Sequence, residues 1–184
     1  MAGATTTQEH TTTWQFDPVH TMVEVAVKHM MVVTVKGRFG KVNGSIEFDE
    51  NEPTEGKVEV TIDAASIDTR DSQRDAHLRS PDFLDVERFP TLTFKSRRIE
   101  PADGHYRVVG DLTIRDVTRE VILDAEYAGA AKSPWGDLRA GFSAKTVISR
   151  KDFGLQWNVP LEAGGWLVGD EVKIFLEVEA IKAS

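Results

Sequence analysis

From Trp14 to the end of the chain, apolar and polar residues alternate with a period of two in one short run after another. In "MVEVAVKH", Val23, Val25 and Val27 share one face, and Glu24, Ala26 and Lys28 the other. "KVEVTID" sets Val58, Val60 and Ile62 opposite Lys57, Glu59 and Thr61. Leu92 and Phe94 follow in "TLTFKS", then Tyr106, Val108, Leu112 and Ile114 in "HYRVVGDLTI". The spacing recurs at Val121, Leu123, Ala125 and Tyr127, and again at Leu138, Ala140, Phe142 and Ala144. It closes with Val172, Ile174, Leu176 and Val178. Side chains along a strand point alternately to opposite faces, so the pattern predicts strands with one buried and one wet face.

Turn residues separate the runs: "GKVNG", "NEPTEG", "PADG", "AKSPWG" and "EAGG" are rich in Gly, Pro, Asn or Asp. About eight antiparallel strands with short connections predict an all-β sandwich or closed barrel. No βαβ repeat is present, which argues against a parallel sheet. Residues 1–12 are Thr-rich and nearly free of apolar side chains, so a disordered tail is expected there, ahead of one domain over 13–182.

One stretch, about 66–89, departs from alternation and reads as a short helical insertion. Its segment "RDAHLRSPDFLDVERFP" gathers Asp75, His77, Asp82, Asp85 and Glu87. A zinc site needs three or four converging ligands, and one histidine without the usual second one does not supply them. Helix grammar offers the other reading: Ser80 as N-cap, Pro81 at the first helical position and Asp82 in the first turn. Phe83 and Leu84 then anchor the insertion, and Phe89-Pro90 launches the next strand.

Charge and composition narrow the function. The 184 residues carry a net charge of −8 and a pI near 5.1, whereas nucleic-acid binding needs clustered Lys and Arg. The same sign gives no attraction to anionic headgroups. The absence of cysteine excludes disulfides, thiolate metal sites and a cysteine nucleophile. No run approaches the roughly 18 apolar residues of a membrane span, and "MAGATTTQEHTTT" has neither the basic nor the apolar part of a signal peptide. A cytoplasmic protein without integral membrane contact is expected. "KDFG" at 151–154 and "GKVNGS" lack the companion motifs of kinases and P-loops. His10, His20, His29 and His105 are scattered, so no catalytic or metal residue is assigned.

Small residues on the inward faces, Ala125, Ala140, Ala144 and Gly110, are compatible with a ligand cavity in a barrel of about eight strands. A solid interior is the alternative that alternation leaves equally open.

Several segments together resemble the YceI family of polyisoprenoid-binding-like proteins. They are "FDPVHTMVEVAVKHM", "GRFGKVNGSIEFD", the long block ending "DAHLRSPDFLDVERFPTLTFKS", "VVGDLTIRDVTREVIL", "ISRKDFGLQWN" and "VGDEVKIFLEVEA". They follow in order over residues 14–181. The resemblance implies a lipocalin-like antiparallel barrel of about eight strands with a helix at one end. It also implies a bound polyisoprenoid, isoprenoid quinone or fatty acyl chain as an apolar lipid ligand, no required cofactor, and a homodimer. Many family members carry a secretory signal, which this sequence lacks.

On that reading, Val23, Val25, Val27, Ile46 and Phe48 line the ligand site. Val60, Ile62, Phe94, Tyr106 and Val108 join them, as do Leu123, Phe142, Ile174 and Leu176. Arg74, His77, Arg79, Arg150 and Trp157 are candidate head-group contacts at the open end; for the arginines the alternative is ion pairing with nearby aspartates. Phe175 and Ile122 are outward apolar positions for a subunit contact. The competing functions are a structural or stress-response homodimer with a filled barrel, and a lipid-modifying enzyme using His77 with Asp75 or Asp82.

Overall fold

Short turns make successive strands neighbours, and an apolar inner face drives the resulting sheet to close. The computed structural model describes residues 11–49 and 51–184. In chain order come β1 (Thr12–Phe16), β2 (Met22–His29), β3 (Val33–Phe39) and β4 (Val42–Phe48). Next are β5 (Lys57–Asp63), β6 (Ile67–Asp68), the helix α1 (Ser72–Arg79) and β7 (Thr91–Ala102). The long strands β8 (His105–Ile114), β9 (Val117–Lys132), β10 (Leu138–Ser149) and β11 (Val168–Lys182) complete the sheet.

Eight of these strands, in the order β1-β4-β5-β7-β8-β9-β10-β11, form a closed antiparallel ring, sealed by β1 against β11. The seal pairs Trp14 with Lys182 and Phe16 with Ala180. Earlier on β11, Val172, Ile174 and Leu176 pair with Val27, Val25 and Val23 of β2. The fifteen-residue β11 therefore carries β1 and β2 in succession along one edge. Past β1, the β2–β3 hairpin continues the wall along β11 with Val23, Val25, Val27, Val35 and Phe39 facing inward, and β6 is added to β3 through Phe39 and Ile67.

Register follows side-chain volume. Phe94 and Ile99 both face the core although they are five positions apart, because β7 is bulged between Ser96 and Arg98. Gly110 lies under this region: a Cβ there would come 2.6 Å from the Phe94 ring. Gly110 thus makes room for a neighbouring ring and leaves no void of its own.

The helical insertion is real, but its grammar differs from the expected one. Asp71 caps α1, its Oδ1 accepting from the Arg74 N–H at 2.8 Å. Ser80 ends the helix instead of starting one; its hydroxyl donates to the His77 carbonyl, and 81–84 form turns. Asp75 is buried and accepts from the Thr69 N–H and hydroxyl at 2.9 and 2.5 Å, fixing the helix to the segment before it. Phe83 is buried as expected, and β7 begins directly after Pro90. Residues 1–10 of the expected tail lie outside the described residues, while Thr12 already pairs with Phe48.

Where β1 meets β11, a cluster of five side chains clasps the seal. His20 Nδ1 and Asp17 Oδ2 are 2.8 Å apart, and Arg139 Nη1 donates to the same Asp17 oxygen at 2.9 Å. Arg139 also pairs with Glu179 and Asp137. The bond to Asp17 holds the His20 imidazole above its usual pKa, helped by Glu179. The His20 bond is likewise the main cause that holds the Asp17 carboxyl below the ordinary carboxylate range. His20 is thus favoured protonated in the fold, so its stabilisation is complete below about pH 6.5 and is lost as pH rises through the raised value. Asp17 has the opposite sign: its contribution holds above about pH 4 and fades as pH falls through the lowered value. The melting-temperature gap between wild type and His20→Ala should accordingly be larger near about pH 6 than near about pH 9; a gap that is flat or grows with pH would contradict the clasp.

Candidate functional site

The size of the inward side chains decides which part of the barrel is filled. With β11 as a ruler, Val178 faces the end nearer the seal, and Val172 and Ile174 the opposite end. Aromatic rings crowd the sealed end. Phe48 lies 5.7 Å from Tyr106, 5.1 Å from Tyr127 and 5.9 Å from Phe142, centroid to centroid. A cavity of only about 70 Å³ remains among them. Toward α1 most inward residues are valines, isoleucines and leucines, too short to meet across an eight-stranded ring, with Phe39 and Phe94 among them. There the barrel encloses a cavity of about 340 Å³, within the roughly 300–1,000 Å³ of small-molecule sites.

Nine of the expected lining residues face this larger cavity: Val23, Val25, Val27, Val60, Ile62, Phe94, Leu123, Ile174 and Leu176. The other five, Ile46, Phe48, Tyr106, Val108 and Phe142, surround the small cavity at the sealed end. Val60, Leu123 and Leu176 border both. The small residues do not create the larger space: Ala125 and Ala144 sit at the aromatic end, and Ala140 is fully packed. Side chains off the barrel wall complete the lining, among them Leu78 of α1, Phe83 and Leu84 after it, and Leu155 and Leu167 in the segment between β10 and β11. Alternation reads only strands, so these escaped it; the apolar spacing within "DFGLQWN" and "GGWLV" was the available signal.

Polar groups gather at the rim. Arg74 is exposed there; its Nε donates to Thr69 Oγ1 and its Nη2 to the Thr69 carbonyl, both at 2.7 Å. Among the described residues it forms no carboxylate pair. His77 lines the cavity between two rings, 4.5 Å from Trp157 and 5.0 Å from Phe83, edge to face. Its Nε2 is 2.9 Å from Asp82 Oδ2. Arg79 does not reach the cavity: it donates to the Ala65 and Ile67 carbonyls and ties α1 to the wall. For Arg74 and Arg79, backbone and hydroxyl bonding replaces the ion pairing that was the alternative. The pairing expected for a His77 enzyme is split, since Asp75 is engaged by Thr69 and only Asp82 reaches the imidazole. The one grouping of metal-capable side chains among the described residues is Asp17, His20 and Glu179, at the seal. The Arg139 guanidinium already supplies a cation to it.

Arg150 is the least expected of these residues. It is 3 % exposed, and burial pulls its guanidinium below the usual arginine range, with Asp170 acting the other way. Its N–H groups donate to the carbonyls of Leu155, Trp157, Val168 and Gly169. A planar fork with five donors suits this use, because it satisfies carbonyls from both sides of the segment at once. Arg150 therefore lines the cavity as the knot that fixes residues 155–169. Arg150→Met should lower unfolding free energy by about 3 kcal/mol in urea titration, because several buried carbonyls lose their donors. Arg150→Lys should recover less than half of that; full recovery would show that charge alone matters.

Comparison with known proteins agrees with this architecture. Residues 14–180 match the YceI-like domain. A UPF0312 protein of Pseudomonas aeruginosa (strain LESB58) is 37 % identical over 163 residues, covering 89 % of this chain and 82 % of that protein. The crystal structure of Burkholderia cenocepacia BcnA superposes with a TM-score of 0.77 at 27 % identity, covering 89 % of this chain and 98 % of BcnA. A polyisoprenoid binding domain from Saccharophagus degradans, implicated in plant cell wall breakdown, shares the fold with a TM-score of 0.67. Identity to it is 14 %, with 93 % of this chain and 98 % of that one covered.

Proposed function

The chain belongs to the YceI-like domain family, and from that premise we propose that its barrel binds and sequesters a long apolar chain without transforming it. The observation that carries this reading is the 340 Å³ cavity, walled mostly by aliphatic side chains with Phe39 and Phe94 among them and few polar groups. The shared fold of the Saccharophagus polyisoprenoid binding domain supports it. A polyisoprenoid, an isoprenoid quinone or a fatty acyl chain fits this chemistry.

Each buried methylene contributes roughly 0.8 kcal/mol. About ten of them give roughly 8 kcal/mol before the costs of ordering the ligand. Affinity then comes from the chain, and the wall needs no specific polar contact. A polar or anionic end stays at the rim, where Arg74 makes no carboxylate pair among the described residues and His77 and Trp157 offer ring edges and faces. Phe48 and Phe142 close the other end, so the ligand's tail stops against rings. A homodimer is part of the same proposal: Ile122, Val147 and Phe175 are exposed on the outer wall, away from the cavity.

A charge placed in the wall tests the assignment. In solution titrations with a fluorescent long-chain fatty acid, Ile174→Glu and Leu123→Arg should weaken binding by at least about tenfold, since a desolvated charge faces the chain. Circular dichroism should show the fold retained. Unchanged affinity in folded variants would remove the cavity as the binding site.

A further inference from the structure

Two turns stand beside the cavity rim, and both present apolar side chains to water. The β2–β3 hairpin turns through Met30 and Met31, with φ of +50° and +65°, and the Val32 N–H closes it on the His29 carbonyl at 3.2 Å. Such a turn favours Asn-Gly, because side chains at positive φ are disfavoured. Here unbranched apolar residues occupy both positions, and the residues after them are Val32 and Val33. Met31 is 64 % exposed and Val32 75 %.

The second turn, 159–167, is bound to the first. The Met30 N–H donates to the Leu167 carbonyl at 2.8 Å, and the Met31 side chain lies over Gly165, where a Cβ would collide with its sulfur. This turn adds Val159 and Trp166, the latter 52 % exposed. Half of the large hydrophobic residues exposed among the described ones thus gather on two adjoining turns. Scattered exposed apolar residues are ordinary, but a contiguous group is a contact surface.

Charge is sparse on the same surface. Residues 30–35 contain no charged side chain and 153–169 contain only Glu162, in a chain that is 28 % charged. The cavity opens directly behind the turns, since Lys28, His29, Val35, Leu167 and Val168 line it and Lys28 is exposed.

We propose that these two turns dock the protein on the surface of a neutral lipid bilayer, with the cavity rim facing the lipid. This rests on the proposed apolar ligand, which is held in a bilayer and reaches the cavity without crossing water if the rim is seated there. A patch with so little charge on an acidic protein selects a zwitterionic surface and apolar insertion over headgroup attraction. Methionine adapts to irregular apolar surroundings, and tryptophan favours the membrane–water boundary.

Flotation of the full chain with phosphatidylcholine vesicles tests the proposal. The protein should float equally at about 0.1 and 1 M salt, since screening does not touch apolar insertion. Met31→Asp and Trp166→Asp should each cut the bound fraction about tenfold, while their melting temperatures and solution binding of the fluorescent fatty acid stay at wild-type values. Trp135→Asp, at an exposed tryptophan in the β9–β10 turn of the sealed end, should leave flotation unchanged. Failure of the wild type to float, flotation only with phosphatidylglycerol and low salt, or equal loss in Trp135→Asp would each overturn the proposal. A dimer that Met31→Asp dissociates, without vesicle binding, would assign the patch to a second copy of the chain instead. A protein that takes up the fatty acid but does not float contradicts docking alone; one that floats but takes up none contradicts the cavity reading alone.

Discussion

Everything in this barrel depends on how the inward side chains fill a closed eight-stranded ring. Closure of the ring fixes the interior diameter, so the volume inside follows from residue type. Where Phe48, Tyr106, Tyr127 and Phe142 point inward the rings touch and the space is nearly gone. Where Val23, Val25, Ile62 and Ile174 point inward the walls cannot meet. Packed interiors approach the density of organic crystals, and an apolar void of this size leaves its lining without contacts that a ligand's chain would restore. The same arrangement makes one end a plug and the other a container.

Both ends need reinforcement for different reasons. At the sealed end, β1 contributes five residues, and its pairing with β11 spans only Trp14 to Phe16. The ion cluster of Asp17, His20, Arg139 and Glu179 holds that short seam from the side. At the open end irregular chain meets the start of β11, and carbonyls of both need donors. Arg150 collects four of them, and Asn158 bridges to Val168 through both its amide groups. An arginine buried at a ligand cavity need not contact ligand; here it holds the rim in shape so that Leu155, Trp157 and Leu167 face inward.

Strand faces were legible in the sequence because the pleat has a period of two and no other element does. All fourteen residues expected to line the site border one of the two cavities. Alternation carries no depth, however, so it could not say that Phe142 and Tyr106 belong to the plug. The inference from small residues failed for a physical reason: Gly110 and Ala140 are closed over by neighbours, whereas β-branched residues facing one another hold the space open. "SPDF" looks like a helix start because Ser and Pro are favoured there. The chain instead uses the equally good cap at Asp71, and Ser80 closes the helix with the same hydroxyl chemistry. The role of Arg150 was out of reach, since its partners are carbonyls brought together only by the fold.

Native mass spectrometry of freshly purified protein, followed by solvent extraction, tests most directly whether the largely aliphatic half of the barrel holds an apolar chain. The predicted result is a bound species of several hundred daltons whose fragments are isoprenoid or acyl. A bare protein mass from several expression hosts, with no extractable lipid and no uptake of added long-chain lipid, would contradict it.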